Sequence, residues 1–136
     1  MAYQYDGEGI TMTLTAGEDL SADQHKFVYI SAANTCILTD LVTDRPIGVL
    51  LNKPDAAGKA ATVLVAGVTK VVAVGTIAAG RAISQNGNGL ATIAATAEVG
   101  GGGSANPVVG TTITASGGAN EVITAAINCL NSQVCG

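Results

Sequence analysis

The chain has 136 residues, enough for one domain with its own core; 48% of them are apolar and only 12% are charged. A net charge of −4, no basic run and only three Tyr and one Phe argue against nucleic acid as the main partner. No segment reaches the ~18 apolar residues of a membrane span, and the polar, acidic start MAYQYDGEGI is unlike a secretory signal, so cytoplasmic synthesis from near Met1 is expected.

In chain order, residues 1–9 read as an extended N-terminal arm carrying Tyr3 and Tyr5. Residues 10–136 read as one compact β domain. Ile10–Thr15 (ITMTLT) alternates strictly, as a half-buried strand does. Ala16–Phe27 has room for one helical turn capped by Ser21. Short runs rich in β-branched residues follow: KFVYI (26–30), CILTD (36–40), PIGVLL (46–51), ATVLVAG (61–67) and TKVVAVG (69–75). RAIS (81–84) and LATIA (90–94) flank Asn86-Gly87, a hairpin signal because a tight primed turn needs positive φ. Glu98–Pro107 is a glycine-rich loop, with Gly100–Gly103 in an unbroken run. TTITA (111–115) and EVITAAI (121–127) close the pattern; the latter also fits a helical face, and its β-branched content favours strand. Many short antiparallel strands separated by turn residues predict a mainly β fold, a single-domain sandwich or barrel.

Groups that carry chemistry are scarce. His25 is the only histidine, and no G-x-S-x-G elbow accompanies it, so it reads as a surface or edge residue. Cys36, Cys129 and Cys135 are not paired as C-x-x-C, so neither a metal site nor a cofactor is expected. The odd cysteine count favours free thiols, although Cys129 and Cys135 are spaced to close a small loop. Gly58-Lys59 lacks the Ser or Thr of a phosphate-binding loop, because Ala60 follows. Sugar platforms are missing with tryptophan. The expectation is a protein that packs against something, not an enzyme.

PIGVLLNKP (46–54), AAG (56–58), ATVLVAGVTKVV (61–72), IAAGRAIS (77–84) and NGNGLAT (86–92) together resemble the head decoration, or capsid cement, proteins of tailed phages. In that pattern ATVLVAGVTKVV makes a hairpin. AGEDLSADQHKFV (16–28) and Val108-Val109-Gly110 extend the likeness, which covers about residues 17–127. The Gly100–Gly103 insert and the tail CLNSQVCG (129–136) depart from it. The resemblance implies a small β protein on the outer capsid surface of the virion, made in the host cytoplasm. It implies the major capsid protein as partner and a homo-oligomer, a trimer, whose three-fold symmetry multiplies weak contacts into avidity.

On that reading Tyr3, Tyr5 and Ile10 are the candidate capsid-binding arm, since tyrosine gives contact area at low entropic cost and an extended arm can add a strand to a sheet edge. Val63, Val65, Val71 and Val72 are the candidate subunit seam, with burial in the protomer's own core as the competing expectation. Lys53, Lys59 and Lys70 either face the shell or guard strand edges. The alternative function is a carbohydrate- or receptor-binding β module of a virion, using the glycine-rich loop and the Asn-rich turns. A carrier domain modified on Lys70 is a weaker alternative, since the flanking Met or Asp of such turns is missing.

Overall fold

The structure is a computed structural model that describes residues 9–94 and 107–130, and the backbone alone of 133–134. Tyr3, Tyr5, the Gly100–Gly103 run and Cys135 lie outside the described residues. The described residues form eleven strands and no helix. These are β1 (Ile10–Ala16), β2 (Phe27–Ala32), β3 (Thr35–Leu38), β4 (Gly48–Leu50), β5 (Ala60–Val72), β6 (Ala82–Gln85), β7 (Ala91–Ile93), β8 (Pro107–Val108), β9 (Gly110–Thr112), β10 (Val122–Asn128) and β11 (Gln133–Val134).

Nine of them make one sheet in the order β1-β3-β2-β4-β5-β10-β9-β6-β7. β1 also pairs with β5, from Ile10↔Ala66 to Thr15↔Ala60, so the first five members close into a barrel. Pairing between strands is antiparallel except for β1 with β3, which run parallel at Thr15↔Thr35 and Ala16↔Cys36. A parallel bridge, Ala73↔Ala91, brings β7 back to the chain just past β5, so the other half of the sheet also curls round. β8 and β11 pair separately.

Cross-strand partners share a face of a sheet, and successive residues alternate faces. Phe27, Val49 and Leu64 are consecutive partners across β2, β4 and β5 and therefore lie on one face. Leu50 and Val63, also partners, lie on the opposite face. Both faces are buried. Leu50, Val63 and Val28 pack with Leu14, Ala16, Leu20, Cys36 and Ala61 inside the barrel. Phe27, Val49 and Leu64 pack with Val65, Val71, Ile77, Ile83, Val109, Ile123 and Ile127 in a second core. The β2–β4–β5 region is thus a wall between two cores, and β5 contributes to both.

The expected hairpin between Ala61–Gly67 and Thr69–Gly75 does not form: β5 runs unbroken for 13 residues. Its pairing with β10 continues through the glycine, from Asn128↔Ala66 and Ile127↔Gly67 to Val122↔Val72. Gly67 has φ 145°, and a Cβ there would sit 2.8 Å from the Cα of Gly9. It serves a close crossing of two backbones instead of a turn. The one-turn helix at 16–27 is also replaced, by turns closed from Asp23 N to Leu20 O and from Lys26 N to Asp23 O. Ser21 is not a cap; its N–H donates to Asp19 Oδ1 at 2.9 Å. Asn86-Gly87 does lie in a hairpin, between β6 and β7, but the loop is wider than a two-residue turn. Asn86 N donates to Leu90 O at 3.0 Å, and Asn86 Oδ1 accepts from Asn88 N and Leu90 N. The 121–127 segment is a strand, β10.

Candidate interaction surface

Chemistry needs convergent reactive groups, and among the described residues no three of His, Cys, Asp and Glu gather as a metal site would require. Cys36 and Cys129 are free, buried thiols, and burial pushes the Cys129 thiol up to about 12. The pairing considered for Cys135 falls outside the described residues.

The four valines named for a seam are buried. Val63 and Val71 are 0% exposed, Val65 3% and Val72 9%, and three of them belong to the two cores described above. Burial within the protomer replaces the seam assignment. Alternation alone marks which valines share a face, but here both faces of the strand are covered.

Ile10 is different. It is 57% exposed, and Met12, on the same strand, is 39% exposed. Thr11 and Thr13 are exposed as well, so β1 is open on both faces over its first four residues. Among the described residues its edge is open too. β3 reaches only Thr15 and Ala16, and Thr15 N donates to Asn34 O on that side at 2.8 Å. By alternation the backbone groups of Thr11 and Thr13 point to the same side, beyond the start of β3. No charged side chain or proline guards this stretch, unlike most exposed edges. Gly9 packs closely against Gly67 at the start of the strand.

A second feature is an apolar hollow of about 330 Å³ lined by Tyr29, Ile30, Arg45, Pro46, Ile47 and Cys129. Ile30 and the neighbouring Leu130 stand exposed beside it. It forms because β4 and β10 occupy successive stretches of β5: Val49 pairs with Leu64, and Cys129 N donates to Val65 O at 2.9 Å. Leu41 and Val42 are exposed at the tip of the β3–β4 loop. That loop is held by Asp44, whose Oδ2 accepts from Asp40 N and Leu41 N, both at 2.8 Å. Gln85, fully buried, fastens it to the hairpin: Nε2 donates to Leu41 O at 2.7 Å and to Asp44 O at 3.2 Å, and Oε1 accepts from Gly87 N. Sequence reasoning passed over Met12, Ile30, Leu41, Val42 and Gln85. The signal for Gln85 was a polar residue in a strand run; nothing local marks the other four.

Of the lysines weighed above, Lys59 pairs with Asp55 at 2.7 Å on the surface. That contact raises the Lys59 ammonium and lowers the Asp55 carboxyl, chiefly by a direct hydrogen bond. The charges of Lys53 and Lys70 both act on the His25 imidazole.

No family model matches the chain, and no curated protein matches it. Among solved structures it is similar to the N base of head fiber gp8.5 of bacteriophage phi29, with a TM-score of 0.62 and 16% sequence identity. The match covers 93% of this chain and 98% of that one, so the two share a fold across nearly their whole length. A fold held in common with a phage head protein is in line with the resemblance read from residues 46–92.

Proposed function

We propose that the chain is a structural protein of a phage head: it decorates the outer surface of the capsid and stabilises the mature shell. The observation that carries this reading is the end-to-end fold likeness to the base of a head fiber. It is joined by the independent sequence resemblance to head decoration proteins. The partner is the major capsid protein, and the protein acts as a homo-oligomer, a trimer on sites of matching symmetry. Three weak contacts tethered together then bind as one strong one. A protein that binds the expanded shell and not its precursor stabilises that shell by mass action.

The open start of β1 supports attachment by strand addition, with Ile10 and Met12 as apolar anchors beside the tyrosines of the N-terminal arm. Space-filling side chains suffice for such a role, so no catalytic step is invoked. The similarity to a fiber base also favours a second reading, in which the domain seats a receptor-binding fiber on the head.

The test mixes the purified protein with expanded shells lacking it and counts the copies bound. Saturable binding in multiples of three, with higher resistance of the shells to heat, is expected. Ile10→Asp combined with Met12→Asp should weaken attachment at least tenfold while leaving the fold intact. Absence of any attachment to shells, with binding to glycans instead, would defeat the decoration reading in favour of a receptor-binding module.

A further inference from the structure

The positive charge of this acidic chain is unevenly neutralised. Lys26 is tied to Asp23 at 3.1 Å and Lys59 to Asp55 at 2.7 Å. Lys53 and Lys70 have no carboxylate partner among the described residues, and both act on His25. The backbone explains this convergence. His25 N donates to Leu50 O at 2.7 Å, and His25 O accepts from Val72 N at 3.1 Å. These bonds clamp His25 between the end of β4 and the end of β5. Lys53 follows just after β4, and Lys70 stands two residues before Val72 on β5, opposite Thr124.

The site is held under strain. His25 adopts φ 68°, a left-handed conformation uncommon outside glycine. Its Nδ1 is buried without a hydrogen-bond partner among the described residues. Burial first, then the Lys70 and Lys53 ammonium groups, hold the imidazole below its ordinary 6.5. The remaining charged groups nearby are engaged elsewhere: Asp23 with Lys26, and Glu121, at the start of β10, with Gly117 N at 2.8 Å. Two lysine charges acting on one imidazole, with no carboxylate among the described residues to offset them, are stabilised by an anion bound from outside.

We propose that His25, Lys53 and Lys70 form a docking site for a carboxylate-bearing partner protein. The identity of that partner as the capsid rests on the function proposed above; the chemistry of the site does not. Charge complementarity selects the occupant. A net charge of −4 repels a dense polyanion such as DNA, whereas a local patch of two lysines and a histidine accepts isolated Asp or Glu side chains from a protein surface. Binding a carboxylate makes protonation of His25 easier, so attachment strengthens as pH falls through the histidine range and weakens with salt.

His25 is the only histidine, so its ring signals in proton NMR are unambiguous. The full chain is titrated with acid alone and with a peptide carrying two glutamates spaced by neutral residues. The peptide is expected to raise the His25 pKa, and added salt to reverse the shift. Lys53→Glu with Lys70→Glu should abolish the response to peptide and raise the His25 pKa of the free protein; Lys59→Glu should change neither. The proposal is overturned if the peptide leaves His25 unmoved, if the double variant responds like the parent, or if a DNA oligonucleotide shifts His25 more than the peptide does. A parallel assay on expanded shells separates the two readings. Parent attachment with undiminished attachment of a folded double variant sinks the docking site alone. A positive peptide response without parent attachment sinks the head assignment and leaves the site standing.

Discussion

At the scale of single residues, two buried polar side chains govern different things. Gln85 is a structural tie, since its amide satisfies two carbonyls of the β3–β4 loop and one N–H of its own hairpin. Gln85→Ala removes all three contacts and leaves polar groups unpaired in the interior. It should cost about 2–4 kcal/mol, read as a lower urea midpoint with an unchanged slope. His25 has the opposite character: the fold disfavours its charged form. Its folded pKa lies below the unfolded value near 6.5, so the unfolded chain takes up the proton first. The contribution is fully present above pH 6.5 and is lost as pH falls through the folded pKa. His25→Asn, which tolerates the left-handed backbone, should flatten the decline of stability just below neutral pH, measured by chemical denaturation across a pH series.

At the scale of elements, β5 decides the architecture. One edge of its first half carries β1, the other carries β4, and its second half carries β10. The first half is therefore paired on both sides and opens only when both cores open, whereas among the described residues Gly67–Val72 is paired with β10 alone and is half-buried at Val68 and Lys70. Amide exchange should therefore be slowest across Ala61–Val65 and should follow global unfolding, while the start of β1 exchanges faster. If Val68–Val72 exchanged orders of magnitude sooner than Thr62–Leu64, the strand would behave as two elements, as the hairpin pattern in the sequence suggests. The TTITA run ends early as a strand for a comparable reason. Ile113 N and Thr114 N both donate to Thr124 O, at 2.8 and 3.2 Å, and that shared acceptor breaks the register beyond Thr112.

At the scale of the whole molecule, two small cores with a common wall should melt together. Leu14 lies in the barrel core and Ile83 in the other. Leu14→Ala and Ile83→Ala should each lower the same single transition by about 2–4 kcal/mol, as seen by coincident circular dichroism and calorimetry. Two separable transitions would show that the cores are independent. The shape also bears on function. With no tryptophan in the chain, the cores are assembled from Val, Leu, Ile and Ala around the single Phe27, and Ile10, Met12, Ile30 and Leu130 stand exposed at the start of β1 and beside the apolar hollow. Those regions suit contact with a large neighbour better than enclosure of a small ligand.

Composition and local pattern alone determined the class of this protein: short β-branched runs bounded by Gly, Asn and Asp, as in ITMTLT and EVITAAI, favour sheet, and the structure is mainly β. Of the arm residues singled out from sequence, Tyr3 and Tyr5 lie outside the described residues. Ile10 stands exposed because alternation continues past the point where β3 ends, whereas Val63, Val65, Val71 and Val72 vanished into the interior. Alternation reports that neighbouring residues face opposite ways and nothing about what covers either face. Whether β5 folds back or runs on, whether β1 closes the barrel, and why His25 meets Lys53 and Lys70 depend on pairings between segments tens of residues apart. Those partners are chosen by the burial of two cores at once, a condition that exists only in the assembled tertiary structure.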